Sequence, residues 1–385
     1  MPMLFSSLAC LIALILIYWL HSRVAIEVAI SPAPLPPDAP APLISIIVPA
    51  RNEARNIRRC AETLLAQSYP NFELIVVDDR STDATPQILA ELAAQAARLR
   101  VLTGREKPPE WAGKPHALVQ GVEIARGEWL CFVDADTFAH QHLISSACLA
   151  AGEQQADLFT LLTDQELGTF WEKAVLPLVF TGLAFGFPAR QVNDPAKPEA
   201  IANGQFFLIC RAAYEDVGGH RAVHNRIDED KAFAEVVKGA GYRLFIADGR
   251  AVARTRMYTS LPEMWEGWTK NIFLGLRDRL GLLAFGAFAA LMGALALPAW
   301  LLAGLLWFAA AGGLPAFVVT LEALLVWGFL LYWRARSAQA FQISGWYAFT
   351  LPLGAAIFAA MMFASAYKVL FGRGVTWKGR QYQGR

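Results

Sequence analysis

The chain has 385 residues, 55% of them apolar and 17% charged, with a net charge of +1 and a mean hydropathy of +0.35. That length holds one catalytic-size domain, and that hydropathy is too high for a soluble domain alone, so part of the chain belongs in a membrane. The balanced charge, without a basic run or basic-aromatic interleaving, argues against a nucleic-acid surface, and five scattered cysteines without a Cys-x-x-Cys pair argue against a disulfide framework.

Residues 4–20 are uncharged, at the short end of what spans a bilayer, and are followed by His21 and Arg23. A basic n-region and a small-residue cleavage site are missing, so residues 1–30 read as a retained anchor rather than a signal peptide. The Pro-rich run 31–42 reads as an extended spacer holding a domain, 43–255, off the membrane. From there strand and helix alternate. Strands are expected at 43–48, 72–77, 100–102 and up to Asp134, and helices at 56–67, from Thr85 as N-cap with Pro86 at the first helical position to about 97, and at 114–125. This alternation predicts an α/β fold with a mostly parallel, doubly wound sheet.

Three strand ends carry polar residues that a core does not need: Pro49-Ala50-Arg51-Asn52-Glu53, Asp78-Asp79-Arg80-Ser81-Thr82-Asp83 and Asp134-Ala135-Asp136. Parallel strands put all three on one edge, where open α/β sheets bind ligands. Two carboxylates one residue apart there suit a divalent cation and a metal-bound diphosphate; the bland alternative is a helix-capping Asp beside a solvated one. Neither G-x-G-x-x-G after the first strand nor G-x-x-x-x-G-K-[ST] occurs, so dinucleotide and P-loop readings lack support. Asp79 or Glu53 can hydrogen-bond a nucleobase or ribose, and Gly113-Lys114 at a helix start offers a cation and backbone N–H groups to phosphate.

Ile46-Ile-Val-Pro-Ala-Arg-Asn-Glu53, Leu74-Ile-Val-Val-Asp-Asp-Arg-Ser-Thr-Asp83, Gly113-Lys-Pro-His-Ala-Leu118 and Phe132-Val-Asp-Ala-Asp136 together resemble the nucleotide-sugar half of a membrane-bound family-2 glycosyltransferase of the GT-A fold. The resemblance implies that Pro49, Arg51, Glu53, Asp78, Asp79, Lys114 and Asp134 form the donor site, with Glu53 and Asp79 at the nucleoside. It also implies that Asp134 and Asp136 hold Mg²⁺ or Mn²⁺.

The uncharged run 174–189, interrupted by Pro177 and several glycines, is either a core segment or a re-entrant or interfacial piece. A strand entered through the Gly turn at Asn203-Gly204 and a short helix ending at Gly218-Gly219-His220 follow; in the resembled family such segments line the acceptor site. Asp228-Glu229-Asp230 opens a helix over 231–238, where acids can serve as caps. They can also serve as a base for an acceptor hydroxyl, and the resemblance assigns that role to the Glu229-Asp230 pair, with Asp230 as the base. Residues 256–279 contain an amphipathic helix that begins at Ser260-Leu-Pro-Glu263 and carries Trp265, Trp268 and Lys270, read as lying in the headgroup region, packing on the catalytic domain, or both. Trp265, Trp268 and Lys270 join Asn203, Gly204 and His220 as acceptor-site candidates. The Gln-x-x-Arg-Trp signature of processive polysaccharide synthases is absent, which favours addition of one sugar.

Residues 280–311, 314–333 and 346–367 read as three spans within 280–371, and Arg23, Arg277, Arg279, Arg334 and Arg336 satisfy the positive-inside rule when Gly312-Gly313 faces the other side. Three spans would send the basic tail, 372–385, outside, so either 280–311 is a hairpin broken at Pro298 or one segment does not cross fully. Glu322 is an intramembrane acid and thereby a functional candidate. The expectation is an inverting, multi-pass inner-membrane enzyme that moves one sugar from a nucleotide donor, UDP-linked by expectation, to a hydroxyl of a carotenoid or other lipid at the cytoplasmic face. The alternatives are a polyprenyl-phosphate, ceramide or diacylglycerol acceptor, retaining transfer, a transporter, or a catalytically inactive subunit.

Overall fold

The computed structural model describes residues 2–23, 26–276, 280–371, 375–377 and 380–382. Seven strands form the main sheet: β1 (Ile44–Ala50), β2 (Phe72–Asp78), β3 (Leu99–Thr103), β4 (Trp129–Val133), β6 (Leu158–Leu162), β8 (Phe206–Cys210) and β9 (Leu244–Asp248). Their order is β3-β2-β1-β4-β8-β6-β9, parallel except where β8 runs antiparallel between β4 and β6. A second sheet of three short strands joins β5 (Thr137–Ala139), β10 (Ala253–Thr255) and β7 (Asp164–Gln165).

The strands read as continuous apolar runs because both faces are covered. Residues of one face, among them Ile46, Leu74, Cys131 and Phe159, pack with α2 (Ile57–Leu65), α3 (Thr85–Ala93) and α5 (Leu143–Glu153). Their neighbours Ile47, Ile75, Phe132 and Leu158 face the other way, onto α4 (Gly113–Ile124), α8 (Arg211–Asp216) and α9 (Glu229–Gly239). This is the doubly wound α/β arrangement read from the alternation of elements.

Beyond the sheet lie α1 (Pro2–Arg23), α6 (Phe170–Gly186), α7 (Ala189–Asn193), α10 (Leu261–Leu276), α11 (Leu280–Leu291), α12 (Leu297–Ala311), α13 (Gly313–Ala340) and α14 (Leu351–Leu370). Among the described residues, four stretches are long and apolar enough to cross a membrane: Phe170–Asn193, Leu280–Ala311, Gly313–Ala340 and Gly345–Lys368. The run 280–311 is continuous helix, not a hairpin. Pro298 has no N–H for the carbonyl of Ala294, and the chain absorbs that loss in a π-helical turn over Met292–Ala296. The segment 174–189 belongs mostly to α6, which opens on a capping box between Thr169 and Glu172. It packs against α14 so closely that a Cβ on Gly354 would stand 2.4 Å from the carbonyl oxygen of Ala174. Arg277 and Arg279 lie outside the described residues, as does most of the basic tail.

The Pro-rich run lies along the domain instead of holding it away. An extended proline-rich chain has no internal hydrogen bonds, so its peptide groups are available to dock. Ala33 N–H donates to Ser146 Oγ at 2.9 Å, Ser145 Oγ donates to Ala33 O at 2.6 Å, and Tyr69 Oη donates to Pro42 O at 2.8 Å. Just upstream, Ala29 bridges to Asp248 at the free edge of β9. Glu322 joins α13 to α1 by accepting from Ser7 Oγ at 2.5 Å.

The donor half of the sheet is tied by one buried carboxylate. Glu73 accepts from Ser45 Oγ at 2.7 Å, from the backbone N–H of Arg126 at 2.7 Å and from its Nε and Nη2 at 3.1 and 3.0 Å. Despite burial, these donors hold the Glu73 carboxyl below its usual range. A depressed value means that its stabilisation is complete above the unfolded-state value and is lost as pH falls through the folded one. Glu73→Gln should therefore cost about 1–3 kcal/mol at neutral pH, and thermal unfolding of the purified protein should show the gap closing in acid.

Candidate active site

The loops after β1 and β2 are stitched to each other before they offer anything to a ligand. Asn52 and Arg80 adopt left-handed backbone, with φ of 52° and 57°, at the two tips. Asn52 N–H donates to Ser81 Oγ at 2.9 Å, Thr82 N–H to Asn52 Oδ1 at 2.8 Å, and Glu53 N–H to Thr85 Oγ1 at 2.8 Å. Arg51 spends its guanidinium on the carbonyls of Asp79 and Arg80, at 2.6 and 3.1 Å. Asp78 accepts from Ser81 N–H at 3.1 Å and closes the turn. Asp78, expected at the donor, therefore shapes its loop, and Arg51, also expected there, braces the loops while also facing a cavity. Pro49, Glu53 and Asp79 line that cavity together with Lys114, Asp134 and Asp136.

The centre of that cavity is a charge cluster drawn from four elements. Lys114, in the first turn of α4, places Nζ 2.7 Å from Asp134 Oδ1 at the end of β4 and 2.7 Å from Glu229 Oε1 at the start of α9. Asp230 accepts from the backbone N–H of Gly204 at 3.0 Å and of Lys231 at 2.8 Å. A Cβ on Gly204 would meet Lys114 Nζ at 2.6 Å, Asp230 Oδ2 at 3.0 Å and Asp134 Oδ2 at 3.4 Å, so glycine is what lets the backbone sit among these charges. Burial raises the Glu229 carboxyl to about 7 against the pull of Lys114, and burial raises Asp230 as well. The acids at the start of α9 do not act as simple caps: Asp228 makes a two-pronged pair with Arg226, at 2.8 and 2.7 Å.

Asp134 and Asp136 supply hard oxygen donors of the kind Mg²⁺ and Mn²⁺ take. Among the described residues no three His, Cys, Asp or Glu side chains cluster to hold a metal unaided. Two carboxylates fit an ion that completes its shell with diphosphate oxygens and water.

The cavity, about 1790 Å³, does not stop at the charge cluster. It passes a polar belt in which Gln165 Nε2 donates to Gln205 Oε1 at 3.2 Å, Thr163 Oγ1 donates to the same oxygen, and Asn203 Nδ2 donates to Leu161 O at 2.8 Å. It then opens between apolar walls from α1, α6 and α11, with Leu16, Phe180 and Phe285 among them. Asn203, Gly204, Trp268 and Lys270 line it. Trp265 packs instead in an apolar cluster that joins α6, α10, α11 and α14. His220, expected at the acceptor, is wholly buried, stacked on Phe233 at 4.8 Å and paired with Tyr214 Oη at 3.0 Å; burial lowers it to about 3 and keeps it neutral. It holds the core beneath the site and does not line the cavity.

Sequence reasoning missed Thr163 and Gln165, which lie on or beside strands it did not identify, Gln205 at the entry of a strand it did identify, and the wall residues of α1 and α6. Gln205 stood two residues from Asn203, at the spacing that returns a strand residue to the same face, and could have been found.

Residues 45–218 match the family described as "Glycosyl transferase family 2". The chain is 34% identical over 116 residues to the glycosyltransferase GlyG of Streptococcus pneumoniae, covering 30% of this chain and 37% of that protein, so it spans well under half of that relative's length. It is 26% identical over 262 residues to the 4,4'-diaponeurosporenoate glycosyltransferase of Staphylococcus aureus, covering 65% of this chain and 68% of that one. Among solved structures, a mannosyltransferase from Pyrobaculum calidifontis in complex with GDP-Man and Mn²⁺ superposes with a TM-score of 0.52 at 21% identity, covering 96% of this chain and 98% of that one. That likeness shows a GT-A-like fold.

Two outcomes follow from the cluster. Turnover should fall as pH drops through about 7, where Glu229 gains a proton and releases Lys114, and Glu229→Gln, neutral at every pH, should lower kcat/KM above pH 7 and abolish that limb of its profile. Gly204→Ala should lower kcat by about 10²-fold with the protein still folded, because its Cβ displaces Lys114 from the carboxylates; unchanged kcat would mean that the lysine is not held there for turnover.

Proposed function

We propose, from the premise that residues 45–218 form a glycosyl transferase family 2 domain, that this chain transfers one sugar from a nucleotide donor, UDP-linked by our reading, to a hydroxyl of a membrane lipid, with inversion. The observation that carries the acceptor half is the cavity, which is continuous from Asp230 to apolar walls on helices of membrane-crossing character. A water-soluble acceptor has no use for such walls, whereas a lipid acceptor is matched by them. The name of the relative from Staphylococcus aureus, a 4,4'-diaponeurosporenoate glycosyltransferase, supports a carotenoid or other isoprenoid acceptor.

Glu53 and Asp79 orient the nucleoside from the loops after β1 and β2. A divalent cation at Asp134 and Asp136 would offset charge on the departing diphosphate. Lys114, between Asp134 and Glu229, supplies a further positive charge beside that group. Asp230, fixed by the N–H groups of Gly204 and Lys231, takes the proton of the acceptor hydroxyl as it attacks the anomeric carbon from the face opposite the leaving group. A raised carboxyl at that position is a better proton acceptor than an ordinary surface aspartate. Asn203, Trp268 and Lys270 orient the acceptor along the cavity. The enzyme works at the cytoplasmic face of the inner membrane as a multi-pass protein.

Nucleoside-diphosphate release by the detergent-purified protein with Mn²⁺, over a panel of UDP- and GDP-sugars, tests this reading with and without a membrane lipid extract. One donor should give release that the extract stimulates, and Asp136→Asn and Asp230→Asn should each lower it by about 10²–10⁴-fold. Release indifferent to lipid, or untouched by Asp230→Asn, would overturn the acceptor or the base assignment.

A further inference from the structure

Pro177 leaves α6 with a carbonyl that its own helix cannot satisfy. Proline has no N–H, so the oxygen of Lys173, four residues earlier, has no intrahelical donor. Arg334 fills the gap from α13: its Nη2 donates to Lys173 O at 2.9 Å and also approaches Ala174 O at 3.4 Å. This uses one nitrogen of three. The residue is only 4% exposed, and its Nε and Nη1 are buried without a hydrogen-bond partner. Among the described residues no carboxylate lies within ion-pair distance of it, although an arginine remains charged under all ordinary conditions.

Arg334 lies on the wall of the cavity, beside the apolar Leu330 and Phe341. It stands six residues before the end of α13, about 9 Å along the axis. In a membrane-crossing helix that is the level of lipid headgroups. A clamp for the Lys173 carbonyl alone needs one donor, and a buried charge without a counter-charge is costly. A guanidinium is also the side chain best matched to a carboxylate or phosphate. We propose that Arg334 is the receptor for an oxyanion, carboxylate or phosphate, borne by the amphiphile that fills the cavity. The identity of that occupant as a lipid rests on the function proposed above; the anion preference does not depend on turnover.

The test uses full-length protein in neutral phosphatidylcholine nanodiscs and quenching of cavity tryptophans, Trp268, Trp300 and Trp333, by 9,10-dibromostearyl alcohol, 9,10-dibromostearic acid and 9,10-dibromostearyl phosphate. The acid and the phosphate should bind about tenfold tighter than the alcohol, and Arg334→Met should erase the difference. Because that variant also strands the Lys173 carbonyl, Pro177→Ala/Arg334→Met restores an N–H in its place. The double variant should regain the wild-type unfolding temperature and still lack the anion preference. Saturable competition by the single-chain acid or phosphate marks an acidic acceptor as the source. Saturable quenching only by brominated phosphatidylglycerol doped into the discs marks a bilayer lipid, and both results support the receptor. Equal binding of alcohol and acid, or a preference that survives in the double variant, overturns it, while the lipid reading stands. Binding of none of the probes would sink both.

Discussion

Three carboxylates can share one end of this cavity because a lysine stands between them. Asp134 belongs to the half of the sheet built from β1 to β4, whereas Glu229 and Asp230 open α9 in the half built around β6, β8 and β9. Like charges in a partly desolvated site repel, and neither half has a reason to bring its acids to the seam. Lys114 supplies that reason by pairing with Asp134 and Glu229 at equal distances of 2.7 Å. The seam itself is the antiparallel pairing of β8 with β4, which registers Val133 opposite Phe206 and so sets Gly204 beside Asp134. The pairing of two strands thereby fixes where the charges meet.

Much of the donor half was legible because its signals are local. An apolar run followed by acids gives both the strand and the edge it points to, and parallel pairing brings separate runs to one place. The sequence could not separate Asp78, which holds its loop, from Arg51, Glu53 and Asp79, which line the cavity, because all four are polar residues in the same turns. His220 shows the opposite failure. A histidine after two glycines looks exposed, yet Phe132, Phe207 and Phe233 enclose it, and only long-range packing reveals that. β6 and β9, which pair with each other, and the small sheet of β5, β7 and β10 escaped for the same reason: they are short and are completed by partners far away in the chain.

The apolar helices were legible as hydropathy and illegible as architecture. Apolar runs announce spans, but which faces pack together depends on contacts that carry no periodic signature. Here α6 and α10 converge on α14, and Met264, Trp268, Met361 and Met362 fill the junction. Helix α1 packs into the helical half: Trp19 stacks edge-on against Phe185 of α6 and Phe285 of α11, at 5.3 and 6.4 Å, and its inner face is cavity wall. The Pro-rich run then leads from α1 directly onto the sheet edge, so the domain is held against the helices rather than suspended from them.

That attachment has a chemical consequence. A sugar transfer needs a charged, hydrogen-bonding environment at the leaving group and protection from water at the acceptor, and these are opposite demands on one space. The cavity grades its walls: acidic side chains at the ends of β1, β2 and β4, neutral amides and hydroxyls at Thr163, Gln165, Asn203 and Gln205, and hydrocarbon beyond. Within the neutral belt Thr163, Gln165 and Gln205 are bonded to one another, and Asn203 is tied to the backbone of β6. In the function proposed above, an acceptor lipid entering from the apolar side would leave its solvent behind before its polar end reached Asp230. In that function the grading would place desolvation before proton transfer.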